Sequence, residues 1–518
     1  MDRHAPRRPM AAALLALVVL AAGAACGSPA GEQDAAADSG DGSLVFARTS
    51  RGVTDLDPTA DELATNNAYT LDKIFEPLVE LREDGSIEPF LAESYEVADD
   101  GLSWTFTLRD GVAFTDGSAL DAEDVVFTLN RHLDVGGALP LSAPITDVTA
   151  ADDRTVVVAL SEPYAPLLAD LATFANVILP TDLGGLTEEE FFQDPVGTGP
   201  FTVDSWDRTT GEITLAANDT YWQGAPSVDE VVFTVVDDDN QLLQQLQAGQ
   251  VDVIDAVPAA NVAELEANPD VQVNVSDSWQ QGLLAFNTVD GAFADVRLRR
   301  AVASALDREA IAAATTYDTA TPATTFLPPS IQFSAQDTDV LGYDPAAARD
   351  ELARSDHPDG LSTTLIVESS SASQTQQAQA IQAALAEIGV TVEIETLDAT
   401  TFWARFGERD YDLAVTWAIS DTGDPSNLVR WQLLPDVADS YHTGYGNAEV
   451  IDLAAQGVAA TDDATRADVY ARIQRIAADE VPTVPLTYIP TITATGSGVE
   501  GLVVLPNGTT RLQDVTGS

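Results

Sequence analysis

Cysteine is almost missing from this chain of 518 residues: Cys26 stands alone, so no disulfide can form within it. Histidine is scarce as well. His4, His132, His357 and His442 are scattered and offer no ligand spacing for a zinc site. Lysine occurs once, at Lys73, and 24 basic residues face 83 acidic ones. With a net charge of -59 and a pI near 4.1, nothing offsets repulsion from phosphates, which excludes nucleic acid as a partner. Charge alone does not separate solubility from the steering of cationic solutes, and solubility is the simpler account. No GxxxxGK[ST] run is present to cradle a nucleotide, and no nucleophile is evident beside a base. The acidic run Asp237-Asp238-Asp239-Asn240 lacks the Gly and the closing Glu of a calcium loop and leads straight into a helical pattern, so it reads as a helix cap. No repeat of solenoid period occurs.

One long apolar run is present. Arg3, Arg7 and Arg8 precede a stretch of Ala, Leu and Val from Met10 to Ala25, too short to span a bilayer comfortably and typical of a secretion signal over residues 1–25. It ends at Ala24-Ala25-Cys26-Gly27, which resembles a bacterial lipobox, except that Gly23 stands where Leu is usual. Cys26 is then the expected site of lipid attachment, with an ordinary secretory leader as the alternative. Residues 26–42 are small and acidic and cannot bury enough surface to fold, so they read as a flexible tether.

What remains exceeds one core, and about 150 residues per domain gives two or three lobes. Short strands alternate with helical spacings along it. Thr155 to Leu160, Glu230 to Val236, Val271 to Val275 and Leu283 to Asn287 read as strands, whereas Asp239 to Ala248 and Val296 to Ala305 read as helices. A second unit follows: strand Leu361 to Val367, helix Thr375 to Ile388, strand Thr391 to Leu397, helix Thr400 to Glu408 and strand Asp412 to Trp417. Such alternation predicts α/β lobes, and two of them joined by extended segments make a cleft.

The block Phe75 to Arg131 holds an apolar strand pattern Trp104 to Leu108, a reversal at Thr115-Asp116-Gly117, and a helix for which Asp121 is the expected N-cap, three residues before Asp124. This block resembles the extracellular solute-binding proteins, family 5, the peptide and nickel group of ABC importers. PVGTGPFTVDSW, NDTYW, SVDEVVFTVV, LLAFNT, DVRLRRAVASALDREAI and EVPTVPL follow in that family's order, so the resemblance runs from about Ser43 to the C-terminus. It implies a two-lobed periplasmic-binding-protein-like fold (type II, cluster C) with a hinge. Lobe I would comprise 43–84, 187–282 and 490–518, with an inserted domain at 85–186, and lobe II would span 283–489. The implied function is capture of a peptide or peptide-like solute outside the membrane and delivery to an ABC permease and its ATPase. The receptor would be a lipid-anchored monomer with no cofactor, no metal and no catalysis. A receptor for a cationic solute or metal chelate, an extracellular hydrolase and a sensory lipoprotein are the alternatives.

Asp421 is the leading candidate for ligand contact. The run YDLAVTW leads into Ser420-Asp421-Thr422-Gly423-Asp424-Pro425, a polar turn at the end of a strand, where open α/β sheets place ligands. In peptide-binding relatives the first Asp of a similar D-x-G-D-P run holds the α-amino group; the alternative is that Asp421 only caps the turn. Where dipeptide-binding relatives carry an Arg for the terminal carboxylate, this chain aligns Glu368. Either Arg405 or Arg430 serves instead, or the solute lacks that carboxylate, or Glu368 faces solvent. Trp279 and Trp417 are expected as aromatic walls of the cleft, with core packing as the alternative. Thr65 and Asn66 belong to a loop that aligns with a ligand-facing one.

Overall fold

Two strands far longer than the usual five or six residues organise the protein: Val271–Phe286 and Thr483–Gly496, paired antiparallel. The computed structural model describes residues 42–49, 52–60, 65–137, 139, 141–336, 341–435 and 443–517. The two long strands run through the centre of an eleven-stranded sheet and connect its two wings. One wing continues outward from them through Leu413–Ile419, Leu361–Glu368 and Val390–Leu397. The other continues through Val253–Ile254, Ser43–Arg48, Glu230–Val235, Glu212–Ala217 and Phe201–Asp207.

The sequence pattern predicts two separate strands where the structure has the single strand Val271–Phe286. The stretch that joins them, Ser276 to Gly282, is polar and breaks the apolar alternation. It is held in the sheet by pairing across to Thr483–Gly496, with register shifts between Ser276 and Gln280 and between Gly282 and Leu283. The Ser278 hydroxyl adds a bond to the Ile489 carbonyl at 2.6 Å.

In the first wing, Leu361–Glu368 pairs parallel with both Val390–Leu397 and Leu413–Ile419, and helix Ala372–Ala386 makes the crossover to Val390–Leu397. Successive side chains of a strand point to opposite faces. Leu365 and Val367 therefore pack with Ile381 and Leu385 on one side, and Ile366 packs with Phe402 and Phe406 on the other. In the second wing, Ser43–Arg48 is parallel to both its neighbours; Leu44 and Phe46 bury against Ile213 and Phe233, whereas Val45 and Ala47 face Leu242 and Leu246.

A separate four-stranded sheet, in the order Ala92–Val97, Ser103–Leu108, Thr155–Leu160, Ile145–Asp152, has its own core of Phe106, Leu108, Val156 and Val158. Helix Ala122–Val135 contributes Val125 and Leu129 to it. Its first turn is a reciprocal capping box between Asp121 and Asp124, as the sequence predicts. Segments flanking this sheet meet helices from later in the chain: the Ala165 amide donates to the Val458 carbonyl of helix Ala448–Ala459 at 2.8 Å, and Arg430 of helix Pro425–Leu433 donates to the Ser142 hydroxyl at 3.2 Å.

Candidate functional site

A cavity of about 730 Å³ opens where the two wings meet at the long strands. One wall comes from the carboxyl ends of the parallel strands: Glu368 closes Leu361–Glu368, and Thr416 and Trp417 lie near the end of Leu413–Ile419. The first turns of helix Ala372–Ala386 extend this wall with Gln374, Gln376 and Gln377, and Ser371 caps the helix by accepting from the Gln374 amide. This is the crevice at strand ends in which open α/β sheets bind ligands. The opposite wall comes from Asp255 to Ala260 and from Asp239, the first residue of helix Asp239–Gln247. Asp238 caps that helix by accepting from the Gln241 amide, the role expected from the sequence. Ile489 to Ile492 of the second long strand form the floor.

The charge of this lining is one-sided. Among the described residues Asp239, Asp255 and Glu368 are its charged side chains, and none of those lining it is Lys, Arg or His. Arg48, buried to 2% exposure, stands behind Asp255 with Nε 3.6 Å from its carboxylate and its guanidinium 4.1 Å from the centre of the Phe233 ring. Burial nevertheless pushes the Asp255 carboxyl above its ordinary pKa, the pull of Arg48 acting the other way. Glu368 is partly buried and accepts a hydrogen bond from the Ser370 hydroxyl.

The same lining leaves polar atoms unmatched. Gln374 Oε1, Gln377 Oε1 and Thr416 Oγ1 are buried and have no hydrogen-bond partner, although Gln377 is only 3% and Thr416 only 1% exposed. A buried acceptor in that state costs about 1–3 kcal/mol, which a hydrogen-bonding solute would relieve; unmatched atoms also occur away from the cavity, at Trp104 and Gln432. Gln377 lies over Gly282, and a Cβ placed at 282 would be 2.9 Å from Thr487 Oγ1 and 3.6 Å from Gln377 Nε2. Tyr317 also lines the cavity. It is 55% exposed, and its φ of 52° lies in the left-handed region that non-glycine residues avoid.

The structure brings together two of the residues singled out in the sequence, Glu368 and Trp417, on this wall. Asp421 is not among the residues that line the cavity. It lies in the turn beyond the strand, where its amide donates to Asn427 Oδ1 at 3.3 Å. Farther along that turn, Asp424 caps helix Pro425–Leu433 and forms a buried ion pair with Arg466 at 2.6 Å. Trp279 is 2% exposed and belongs to the core beneath the turn, its ring 3.1 Å from where a Cβ on Gly423 would be. Thr65 and Asn66 open helix Thr65–Ile74, and their side chains lie outside the described residues, as do Cys26 and the whole leader. Arg405 is engaged with Glu395 at 2.5 Å and Asp410 at 3.2 Å, and neither it nor Arg430 lines the cavity. Asp255, Tyr317, Gln374, Gln377 and Thr416 are lining residues that sequence reasoning missed. A signal for the glutamines was available: SQTQQAQ opens the helix that follows a parallel strand.

Among the described residues no cluster of three or more His, Cys, Asp or Glu could hold a metal ion, and no helix is long and apolar enough to cross a membrane. The wings, the paired crossing strands and the polar cavity between them are the construction of a solute receptor. Residues 86–439 match the model of the bacterial extracellular solute-binding proteins, family 5 Middle, and the chain belongs to that family. Among curated relatives it is 30% identical over 467 residues to the glutathione-binding protein GsiB of Escherichia coli (strain 536 / UPEC), covering 88% of this chain and 90% of the relative. It is also 30% identical to heme-binding protein A of Haemophilus influenzae, covering 84% and 85%. Among solved structures, the periplasmic binding protein DppA from Helicobacter pylori, in complex with the peptide STSA, superimposes with a TM-score of 0.75 at 26% identity, covering 92% of this chain and 98% of that one. The protein is thus the substrate-binding component of an ABC import system, and the family it belongs to works outside the cytoplasm by binding small solutes.

Proposed function

We propose that the 730 Å³ cavity is where this receptor captures its solute, a compound of peptide-like size, and that the two wings close over it by bending about the long strands. The observation that carries this reading is the set of buried, unpartnered acceptors on the cavity wall, Gln374 and Gln377 of helix Ala372–Ala386 and Thr416 of strand Leu413–Ile419. The register break between Ser276 and Gln280 supplies a place for the crossing strands to bend. Glu368 and Trp417 are the side chains from the sequence reading best placed to meet the solute. Asp421 would act from the neighbouring turn, and Trp279 from behind it by packing.

The peptide-like size draws on the relatives, since DppA from Helicobacter pylori was solved with the peptide STSA and GsiB is named for glutathione. In this reading the receptor works as a monomer without chemistry, moored through lipid on Cys26, and the four-stranded sheet around Ala92–Leu160 is an insertion into one lobe. Native mass spectrometry of gently purified protein is expected to show a co-purified small molecule. That molecule, restored at 100 times its Kd, should stabilise the protein by about 2.7 kcal/mol in a thermal-shift assay. If Gln377→Leu and Trp417→Ala both leave its affinity unchanged, the solute binds elsewhere.

A further inference from the structure

On the reading that the cavity holds the transported solute, we propose that this solute is a cation rich in hydrogen-bond donors, an amine or guanidine that needs no free carboxylate to be recognised. Three independent features of the lining agree. The first is charge. Its ionisable side chains are Asp239 and Asp255 on one wall and Glu368 on the other. Arg48 serves Asp255 from behind at 3.6 Å, and among the described residues no ion pair to a protein cation engages Asp239 or Glu368. A carboxylate entering this space would meet like charge and find no guanidinium or ammonium to receive it.

The second feature is the polarity of the unmatched atoms. Gln374 Oε1 and Gln377 Oε1 are carbonyl oxygens, which can only accept, and the Thr416 hydroxyl can accept as well. As these side chains stand, N–H or O–H donors of a ligand would satisfy them. Ammonium and guanidinium groups carry several each. The third feature is the pair of aromatic side chains on the lining, Tyr317 and Trp417, whose ring faces attract cations. A neutral solute of equal size could answer the carbonyls with its own N–H or O–H groups but would leave the carboxylates without a counter-charge, and an acidic one would be repelled by them.

Isothermal titration of the purified full chain, after exhaustive dialysis, tests this with four probes: agmatine and spermidine as cations without a carboxylate, trialanine as a peptide, and succinate as a dianion. The expected result is that agmatine or spermidine binds and succinate does not. That binding should persist at about 0.5 M NaCl, where attraction to the acidic surface is screened. It should also weaken at least tenfold in both Glu368→Gln and Gln377→Leu, with melting curves confirming that the variants fold.

Each failure has its own meaning. Binding of trialanine that is weakened by the two substitutions, with neither amine bound, keeps the cavity as the solute site and overturns the cationic class. Amine binding that both variants leave intact overturns the cavity reading itself. Amine binding that vanishes in salt is surface association and overturns the proposal, as does no binding of either amine.

Discussion

Glu76 is a carboxyl held wholly inside the protein, with the Tyr221 hydroxyl donating to Oε1 at 2.6 Å and Trp222 Nε1 donating to Oε2 at 2.9 Å. Burial outweighs those donors and pushes its pKa up to about 7; Asp170, which accepts from the Tyr164 hydroxyl at 2.9 Å, is likewise pushed up by burial to about 7. Both therefore keep their protons in the folded state at a pH where the unfolded chain has released them. Their contribution to stability is then greatest below the ordinary carboxyl pKa values of 3.8 and 4.5, and it is lost as pH rises toward 7. For Glu76 the loss is on the order of 3 kcal/mol. Urea unfolding at pH 5 and pH 7.5 should show the drop, and Glu76→Gln should reduce it. Individual side chains of the candidate site were only partly legible in the sequence. The D-x-G-D-P turn was visible because Gly and Pro mark turns locally. The burial of Trp279 was not, because it depends on Gly423 and other residues far along the chain. Tyr317 was missed because its exposure and left-handed backbone follow from how helix Arg308–Thr316 ends, which no periodicity records.

Elements were read from the sequence where their signals are local. Asp121 and Asp238 cap the helices they precede, and Leu361–Glu368, Ala372–Ala386 and Val390–Leu397 lie within a few residues of their expected bounds. Pairing partners hundreds of residues away leave no such trace, which is why the polar centre of Val271–Phe286 did not read as strand. Gly282 lies in that centre, facing Thr487 and Gln377. Gly282→Val should force both side chains aside, destabilising the protein by about 1–3 kcal/mol and weakening solute binding at least tenfold. Chemical unfolding and titration of the co-purified solute measure the two effects, and unchanged affinity would separate the crossing strand from the site.

At the scale of the whole molecule the net charge of -59 repels itself in the compact state. The melting temperature should therefore rise as NaCl is increased from about 0.02 to 0.5 M, over which the screening length contracts from about 20 Å to a few ångströms; a flat response would mean that the acidic side chains are too dispersed to interact. One feature of the sheet has a bearing on how the protein is made. Thr483–Gly496 comes near the end of the chain yet occupies the middle of the sheet, between Val271–Phe286 and Val253–Ile254. During synthesis the two wings cannot be joined into one sheet until this late strand has left the ribosome, so the cavity between them cannot form before then. A nonsense mutation before Thr483 should accordingly leave the wings without the strand that joins them and abolish solute binding, even where strands within a wing still pair.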